Sequence, residues 1–162
     1  MSHHYPKVGA TAPDFELPAV GNKKVRLSAY RGKKNVLLSF HPLAWTGLCA
    51  AQMQDLEQHL QTFIDTDTVA LGISVDSVPT KQAWAESLGV KQIELLSDFE
   101  PKGEVAKRYG VYREEGFSER AVFVVDKGGI IQFARVYPIK EKPDLTRIIP
   151  VLGSDAPAHT GR

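Results

Sequence analysis

The fold of this chain is decided at residues 40–49, FHPLAWTGLC, which contain its only cysteine. The residues just before, 35–40, read NVLLSF, a short apolar run of the kind that forms a buried strand. After them, apolar residues recur every three or four positions and predict one helix to about residue 65; they are Cys49, Met53, Leu56, Leu60 and Phe63 or Ile64. Cys49 is therefore predicted in the first turn of a helix that follows a strand.

This position of Cys49 favours a reactive thiol. The N–H groups of a first helical turn lack partners within the helix, and the helix dipole is positive there, so a negatively charged sulfur is stabilised. The thiolate is the nucleophilic form of cysteine. With Thr46 as the N-cap residue, its side-chain oxygen is expected to accept a hydrogen bond from the N–H of Cys49. Pro42 is expected to end the strand and to stiffen the loop that faces the sulfur.

Further strands and helices are predicted on both sides of this stretch. A second near-continuous apolar run, residues 69–75, is typical of a central strand covered on both faces, and it is expected beside the first strand. The other predicted elements are an edge hairpin of residues 15–17 and 24–27, helices over 79–88, 101–109 and 144–152, a strand over 93–96, and a hairpin of 120–125 and 130–137 around Asp126-Lys127-Gly128-Gly129. This alternation predicts a three-layer α/β sandwich around a central mixed β-sheet.

Composition predicts one soluble domain spanning residues 1–162, because a hydrophobic content of 43% can bury a sizeable core. Residues 1–12 are expected to form a loose N-terminal arm and residues 153–162 a frayed tail. The formal net charge of +1 gives no reason to expect a nucleic-acid or membrane partner. A single cysteine cannot build an internal disulfide framework, and no apolar segment is long enough for a membrane helix, so a cytoplasmic location is expected.

Cys49 and Arg120 each allow two interpretations from the residues alone. A free cysteine is often a small buried hydrophobe, whereas the loop residues Pro42 and Thr46 favour a nucleophile. Arg120 opens an apolar strand, where a charge is costly unless it is paired. It is expected either to form a salt bridge with Glu57 or another helix carboxylate, or to direct its guanidinium at the sulfur of Cys49 and at the oxygens of a substrate.

Pro42, Thr46 and Cys49 reproduce the Pro-x-x-x-Thr-x-x-Cys signature, and in these residues the chain resembles the peroxiredoxins, the thiol peroxidases of the alkyl hydroperoxide reductase C and thiol-specific antioxidant group. The resemblance extends over most of the chain, through the segments APDF (12–15), LSAYRG (27–32), LSDF (96–99) and RAVFVVD (120–126). Residues 42–49 and 96–99 look most like the one-cysteine AhpE subgroup. The resemblance implies a thioredoxin-like fold.

The same resemblance implies a thiol-dependent peroxidase that acts on hydrogen peroxide and organic hydroperoxides without a cofactor or a metal. Cys49 is expected to attack the terminal peroxide oxygen and to become a sulfenic acid. Thr46 and the N–H of Cys49 are expected to hold the peroxide, while Arg120 stabilises both the thiolate and the transition state. Pro42 is expected to shield the sulfur from bulk water.

Two departures from the family bear on this expectation. Gln52 stands where many members carry an acidic residue, and Gln54 stands where one subgroup carries a resolving cysteine. With no second cysteine, the sulfenic acid is expected to be reduced by an external thiol, which is a thioredoxin-like protein, a glutaredoxin-like protein or a low-molecular-weight thiol. The family resemblance also implies a homodimer.

Two other functions remain open at the level of the sequence. In the first, the protein is a peroxide-sensing redox relay that passes oxidation from Cys49 to a partner; in the second, it is a thioredoxin-fold binding protein with an incidental thiol. His41 and His59 are not at metal-ligand spacing, so no metal site is predicted. His41 is expected either to tune the thiol or simply to be a packed or solvated residue, and Trp45 and Trp84 are expected to be packing residues.

Overall fold

The computed structural model describes residues 4–152, and within them seven strands form one mixed sheet in the order β2-β1-β5-β4-β3-β6-β7. The strands are β1 (Glu16–Ala19), β2 (Lys23–Arg26), β3 (Asn35–Phe40), β4 (Thr68–Ser74), β5 (Glu94–Ser97), β6 (Arg120–Val125) and β7 (Ile131–Tyr137). The helices are α1 (Gly47–Gln58), α2 (Leu60–Asp65), α3 (Val78–Leu88), α4 (Glu104–Arg108) and α5 (Leu145–Ile148). Short 3-10 helices cover Leu27–Tyr30 and Ile149–Val151.

Strand β3 lies inside the sheet between β4 and β6, parallel to β4 and antiparallel to β6. The two apolar runs pair from Asn35 with Thr68 to Phe40 with Ile73, which confirms the predicted neighbours. Every residue of β3 and of β6 is buried, because helices cover both faces of the sheet at these strands.

The side chains of β3 alternate between two hydrophobic cores. Val36, Leu38 and Phe40 face a core that includes α4, whereas Leu37 faces the core beneath α1, α3 and α5. Helices therefore lie on both sides of the sheet, and the predicted three-layer α/β sandwich is confirmed. The loop that carries the cysteine leaves β3 at Phe40 and enters the second of these cores at α1.

Three predicted helices differ in their bounds from those observed. The predicted helix to residue 65 is interrupted at His59, where the backbone has φ −98° and ψ 15° and the ring Nδ1 lies 2.8 Å from the Asp55 carbonyl oxygen. Helix α4 begins only at Glu104, after Gly103 in a left-handed conformation with φ 71°. The last helix gives way to a 3-10 turn that contains Pro150, which has no N–H to continue an α-helix.

Residues 4–12 of the predicted N-terminal arm contact the start of β7 and the core. The N–H of Gly9 donates to the carbonyl of Ile131, and the N–H of Ile131 donates to the carbonyl of Ala10. The ring of Tyr5 packs edge-on against Phe123, with the centroids 6.0 Å apart. These backbone partners at the start of β7 are distant from the arm in the sequence.

The remaining terminal segments, residues 1–3 and the predicted tail 153–162, lie outside the described residues. Across residues 4–152, none of the helices combines the length and the apolar character that crossing a membrane requires.

Candidate active site

Cys49 is the third residue of α1 and is buried, with only 1% of its surface exposed. Thr46 precedes the helix in an extended conformation, with φ −114° and ψ 149°, and its carbonyl accepts the N–H of Ala50 to begin the helix. The prediction that Cys49 lies in the first turn is therefore confirmed. The sulfur lies in the core beneath α1, at the end of the central strand.

The hydroxyl of Thr46 does not accept the N–H of Cys49, and the predicted side-chain cap is wrong. Its Oγ1 instead donates to the carbonyl of Leu43 at 2.9 Å and closes the loop before the helix. A hydroxyl proton engaged in this way leaves the oxygen lone pairs of Thr46 available to an incoming donor such as a hydroperoxide O–H.

The guanidinium of Arg120 points at Cys49. Its Nη1 lies 3.3 Å from the sulfur and 2.9 Å from Oε1 of Gln52, while its Nε donates to the carbonyl of Ile139 at 2.9 Å. Arg120 is only 3% exposed, so its charge acts through the protein interior rather than through water. Strand β6 holds the arginine at its first residue, beside the carboxyl end of β3.

The alternative salt bridge between Arg120 and Glu57 is wrong. Glu57 lies near the far end of α1, where its carboxylate accepts the backbone N–H groups of Lys91, Gln92 and Ile93. These three donors satisfy the carboxylate and tie the helix to the loop before β5.

Gln52 supports Arg120 from the next turn of α1. Its Nε2 donates to Oγ of Ser39 at 2.6 Å and to the carbonyl of Phe40 at 3.2 Å, which turns its amide oxygen towards the guanidinium. The amide is neutral, so it orients the arginine without compensating its charge. The full positive charge of Arg120 is therefore available to a thiolate at Cys49.

Pro42 is buried, and the loop that follows it is held by a residue that the sequence reasoning missed. Oδ2 of Asp76 accepts the N–H of Ala44 at 2.8 Å and the hydroxyl of Ser74 at 2.6 Å. A signal was present in the sequence, because Asp76 follows β4, and the carboxyl ends of neighbouring parallel strands meet at one edge of a sheet.

His41 is a packed residue and not a solvated one. Its ring is fully buried, lies 5.2 Å from the ring of Trp84, and has Nε2 3.1 Å from Nζ of Lys81. Burial, together with the positive charges of Lys81 and Arg120, holds the pKa of His41 well below its usual range, so the imidazole is neutral.

Lys81 was also missed by the sequence reasoning, although its spacing carried a signal. It precedes Trp84 by three residues on α3, which places both side chains on the buried face of that helix. Trp84 is buried as predicted, whereas Trp45 is 56% exposed, so the prediction that it packs is wrong. Trp45 lies in the loop before α1, where its side chain is exposed at the surface and not packed into either hydrophobic core.

Among residues 4–152, no group of three or more histidine, cysteine, aspartate or glutamate side chains is arranged to hold a metal ion. The chemistry that the site offers is that of a buried sulfur nucleophile beside a fixed guanidinium.

A model of the AhpC/TSA family matches residues 8–134 of this chain. The chain belongs to the AhpC/TSA family. Alkyl hydroperoxide reductase E of Mycobacterium tuberculosis strain H37Rv is 49% identical to this peroxiredoxin over 130 residues, which cover 80% of this chain and 84% of that protein. The chloroplastic 2-cysteine peroxiredoxin of Chattonella marina var. antiqua is 37% identical over 139 residues, covering 80% and 70% of the two chains.

Solved structures agree with this assignment. The reduced 2-Cys peroxiredoxin of Plasmodium vivax has a TM-score of 0.82 at 32% identity and covers 89% of this chain and 79% of its own. AhpC of Mycobacterium tuberculosis has the same TM-score of 0.82 at 21% identity, covering 91% of each chain, and it supports the fold alone. The protein is thus a thiol-dependent peroxide reductase with a thioredoxin-like fold, and its single cysteine agrees with the one-cysteine AhpE subgroup.

The structure brings two of the four predicted site residues into direct contact, namely Cys49 and Arg120. Pro42 and Thr46 lie on the loop that joins β3 to α1, and Thr46 contacts the loop backbone. The individual roles of the four side chains in the reaction remain predictions.

Proposed function

We propose that this peroxiredoxin reduces both hydrogen peroxide and organic hydroperoxides by a one-cysteine mechanism. The observation that carries the proposal is the 3.3 Å contact between Nη1 of Arg120 and the sulfur of the only cysteine. The thiolate of Cys49 attacks the terminal oxygen of the hydroperoxide, and the O–O bond breaks as the S–O bond forms. The products are a sulfenic acid on Cys49 and an alkoxide or hydroxide that takes up a proton.

Arg120 supplies what an ordinary thiolate lacks. Negative charge moves onto the leaving oxygen as the O–O bond breaks, and a preorganised donor in a buried site stabilises that charge strongly. The guanidinium is held at its Nε by Ile139 and at its Nη1 by Gln52, so it needs no reorganisation during the reaction. Its planar fork also presents several donors in a fixed arrangement, whereas a lysine ammonium is a compact point charge on a flexible stem.

The oxidised enzyme is reduced by an external thiol in this proposal. A first thiol condenses with the sulfenic acid of Cys49, giving a mixed disulfide and water, and a second thiolate attacks that disulfide and regenerates Cys49. The source of these thiols is a thioredoxin-like protein, a glutaredoxin-like protein or a low-molecular-weight thiol. Because Cys49 is 1% exposed, its loop must open before a protein thiol can reach the sulfur.

A homodimer is part of the same proposal. Large apolar side chains are exposed on the loop before α1, with Leu43 at 36% and Trp45 at 56%. A cytoplasmic location also stays a proposal. Sedimentation equilibrium of the reduced protein measures the mass in solution, and a monomer at micromolar concentration contradicts the dimer.

Peroxide consumption with a thiol donor tests the proposed function. The protein is mixed with thioredoxin that dithiothreitol keeps reduced, or with a low-molecular-weight thiol. The loss of hydrogen peroxide or of cumene hydroperoxide is then followed. We expect many equivalents of peroxide to be consumed per Cys49, and none above background in Cys49→Ser. A single stoichiometric oxidation with every donor contradicts the proposal and favours the redox relay.

A further inference from the structure

Lys81 is a fully buried lysine on the inner face of α3, outside the group of residues that contact the peroxide in the proposed reaction. Its Nζ lies 2.9 Å from the carbonyl of Leu96, 3.4 Å from the carbonyl of Gly72 and 3.1 Å from Nε2 of His41. An ammonium group carries three protons, so these three acceptors match its charged form. Such a complete set is what a buried cation requires.

His41 is the acceptor in this pair. Lys81 has only protons to offer, so Nε2 of His41 is unprotonated and the ring proton belongs to Nδ1. Burial first, then the charges of Lys81 and Arg120, keep the pKa of His41 well below its usual range. Of its surroundings, only the backbone of Leu43, as a hydrogen-bond partner of the ring, acts to raise the pKa of His41. The neutral imidazole therefore accepts from the ammonium of Lys81, and the positive charge of Arg120 also opposes protonation of the ring.

Lys81 is linked to the helix that carries Cys49 through the packing of α1 on the sheet. The carbonyl that Lys81 contacts at Gly72 belongs to β4, and the side chain of Met53 rests on that glycine. Met53 follows Cys49 by one helical turn. Any side chain at position 72 would collide with Met53, so the glycine lets α1 approach the sheet closely at this point.

Titratable or charged groups on several neighbouring elements interact electrostatically with Lys81 or with His41. They are Asp76 after β4, Asp98 after β5, Cys49 on α1 and His41 after β3, and Arg120 of β6 interacts in turn with His41. Burial lowers the pKa of Lys81 to about 7, while the charges of Asp76, Cys49 and Asp98 act to raise it. Lys81 therefore changes its charge in the neutral pH range, unlike a surface lysine.

We propose that Lys81, held by His41, is a positioning residue of the active site, a buried cation that is electrostatically coupled to the sulfur of Cys49. The ammonium stabilises the thiolate, and the thiolate in turn stabilises the ammonium by the same free energy. When the thiolate becomes a neutral sulfenic acid, Lys81 holds its proton less tightly. The consequence for turnover rests on the proposed function, whereas the coupling is a property of the reduced protein alone.

The coupling changes how the thiolate forms with pH. Lys81 is charged below pH about 7 and neutral above it. Its support for the thiolate of Cys49 is thus present at lower pH and fades as the pH rises through neutrality. The alkylation rate of Cys49 is therefore expected to gain less with rising pH in the wild type than in a protein without the charge at position 81.

A lysine NMR titration tests the coupling directly. Protein labelled with 13C at lysine is titrated as wild type and as Cys49→Ser, and the Cε signal of Lys81 is followed. We expect the midpoint of Lys81 to fall to a lower pH in Cys49→Ser, because the negative sulfur is absent. The exposed Lys33 serves as the internal control, with the same midpoint in both proteins. Identical Lys81 midpoints in the two proteins overturn the proposal.

A second variant tests the reverse direction. Lys81→Met keeps the apolar stem without the charge, and the exposed Lys33→Met makes the same chemical change elsewhere. Alkylation of Cys49 by iodoacetamide reports the thiolate without needing the peroxide contacts. At pH 7 we expect Lys81→Met to react more slowly by roughly fivefold or more, with a steeper pH profile, and Lys33→Met to react as wild type.

The two tests separate this inference from the proposed function. A folded Lys81→Met, checked by near-ultraviolet circular dichroism, that is alkylated at wild-type rates from pH 5.5 to 9 overturns the coupling, even where peroxide turnover is normal. If both tests show that Lys81 and Cys49 are coupled but the protein does not turn over peroxide, only the proposed function is overturned. His41→Phe removes one acceptor of the ammonium, and the Lys81 midpoint is expected to fall in this variant as well.

Discussion

At the scale of single residues, the site depends on where Arg120 finds its partners. The sequence shows that an arginine begins an apolar strand, and burying its charge there costs free energy unless the charge finds a partner. The sequence does not reveal that Gln52 and the carbonyl of Ile139 orient it, because both contacts depend on how α1 and the segment after β7 pack around β6. Because the amide of Gln52 is neutral, it orients Arg120 and leaves the charge of the guanidinium uncompensated.

Arg120→Lys is expected to lower the second-order rate of peroxide reduction by about 100-fold. A lysine cannot contact Ile139, Gln52 and the sulfur together, so the charge remains while the oriented donors are lost. Stopped-flow oxidation by hydrogen peroxide measures the effect, and Arg147→Lys, at a side chain that is 74% exposed, is the matched control. A rate within threefold of wild type would contradict the role of Arg120.

Gln52→Glu tests whether the neutral amide matters. A carboxylate at this position compensates the guanidinium of Arg120, which lies 2.9 Å away, so the thiolate is stabilised less. We expect iodoacetamide to alkylate Cys49 several-fold more slowly at pH 7. Gln54→Glu adds the same charge two residues further along α1 and should react as wild type. Equal rates in both variants contradict the argument.

At the scale of elements, the sequence predicted those strands and helices whose pattern is local. The central strands β3 and β4 are near-continuous apolar runs, and the hairpin between β6 and β7 turns at a glycine-rich tetrapeptide. Features that depend on distant partners were missed. Helix α4 starts late because the carboxylate of Asp98, six residues before Glu104, accepts the N–H groups of Val105 and Ala106.

The loop before α1 also depends on a distant partner, and Asp76→Ala tests it. The substitution leaves the N–H of Ala44 and the hydroxyl of Ser74 without their acceptor. We expect the free energy of unfolding to fall by about 1–3 kcal/mol, measured by urea denaturation. Asp76→Asn keeps one acceptor oxygen and should lose less. An Asp76→Ala protein as stable as wild type shows that the carboxylate does not hold the loop.

At the scale of the whole molecule, the fold could be predicted from β3, the loop after it and α1, together with the family resemblance. The match to the AhpC/TSA family and to a solved peroxiredoxin structure confirms that resemblance. What the sequence could not predict is the polar interior beneath that loop. The spacing of Lys81 from Trp84 indicates the buried face of α3, but the carbonyls of Gly72 and Leu96 that accept its protons lie on strands distant in the sequence. The same interior predicts how global stability depends on pH.

Stability is expected to rise with pH above neutrality because of Lys81. In the folded protein the pKa of Lys81 is lowered to about 7, whereas an unfolded lysine keeps its usual value, so the unfolded state binds more protons between the two. The contribution is at most about 1.4 kcal/mol per pH unit. Urea unfolding at pH 7, 8 and 9 measures the slope, and Lys81→Met should flatten it. An unchanged slope in that variant contradicts the burial of a titrating lysine.

The central claim is that Cys49, with Arg120 beside it, reacts with peroxide far faster than a free thiol. Stopped-flow tryptophan fluorescence of the reduced protein with excess hydrogen peroxide tests it most directly, because Trp45 lies four residues from the cysteine. We predict a signal whose rate is proportional to peroxide concentration, which is absent in Cys49→Ser and accompanied by a sulfenic acid on Cys49 in the mass spectrum. Oxidation of Cys49 at the rate of a free thiol would contradict the account.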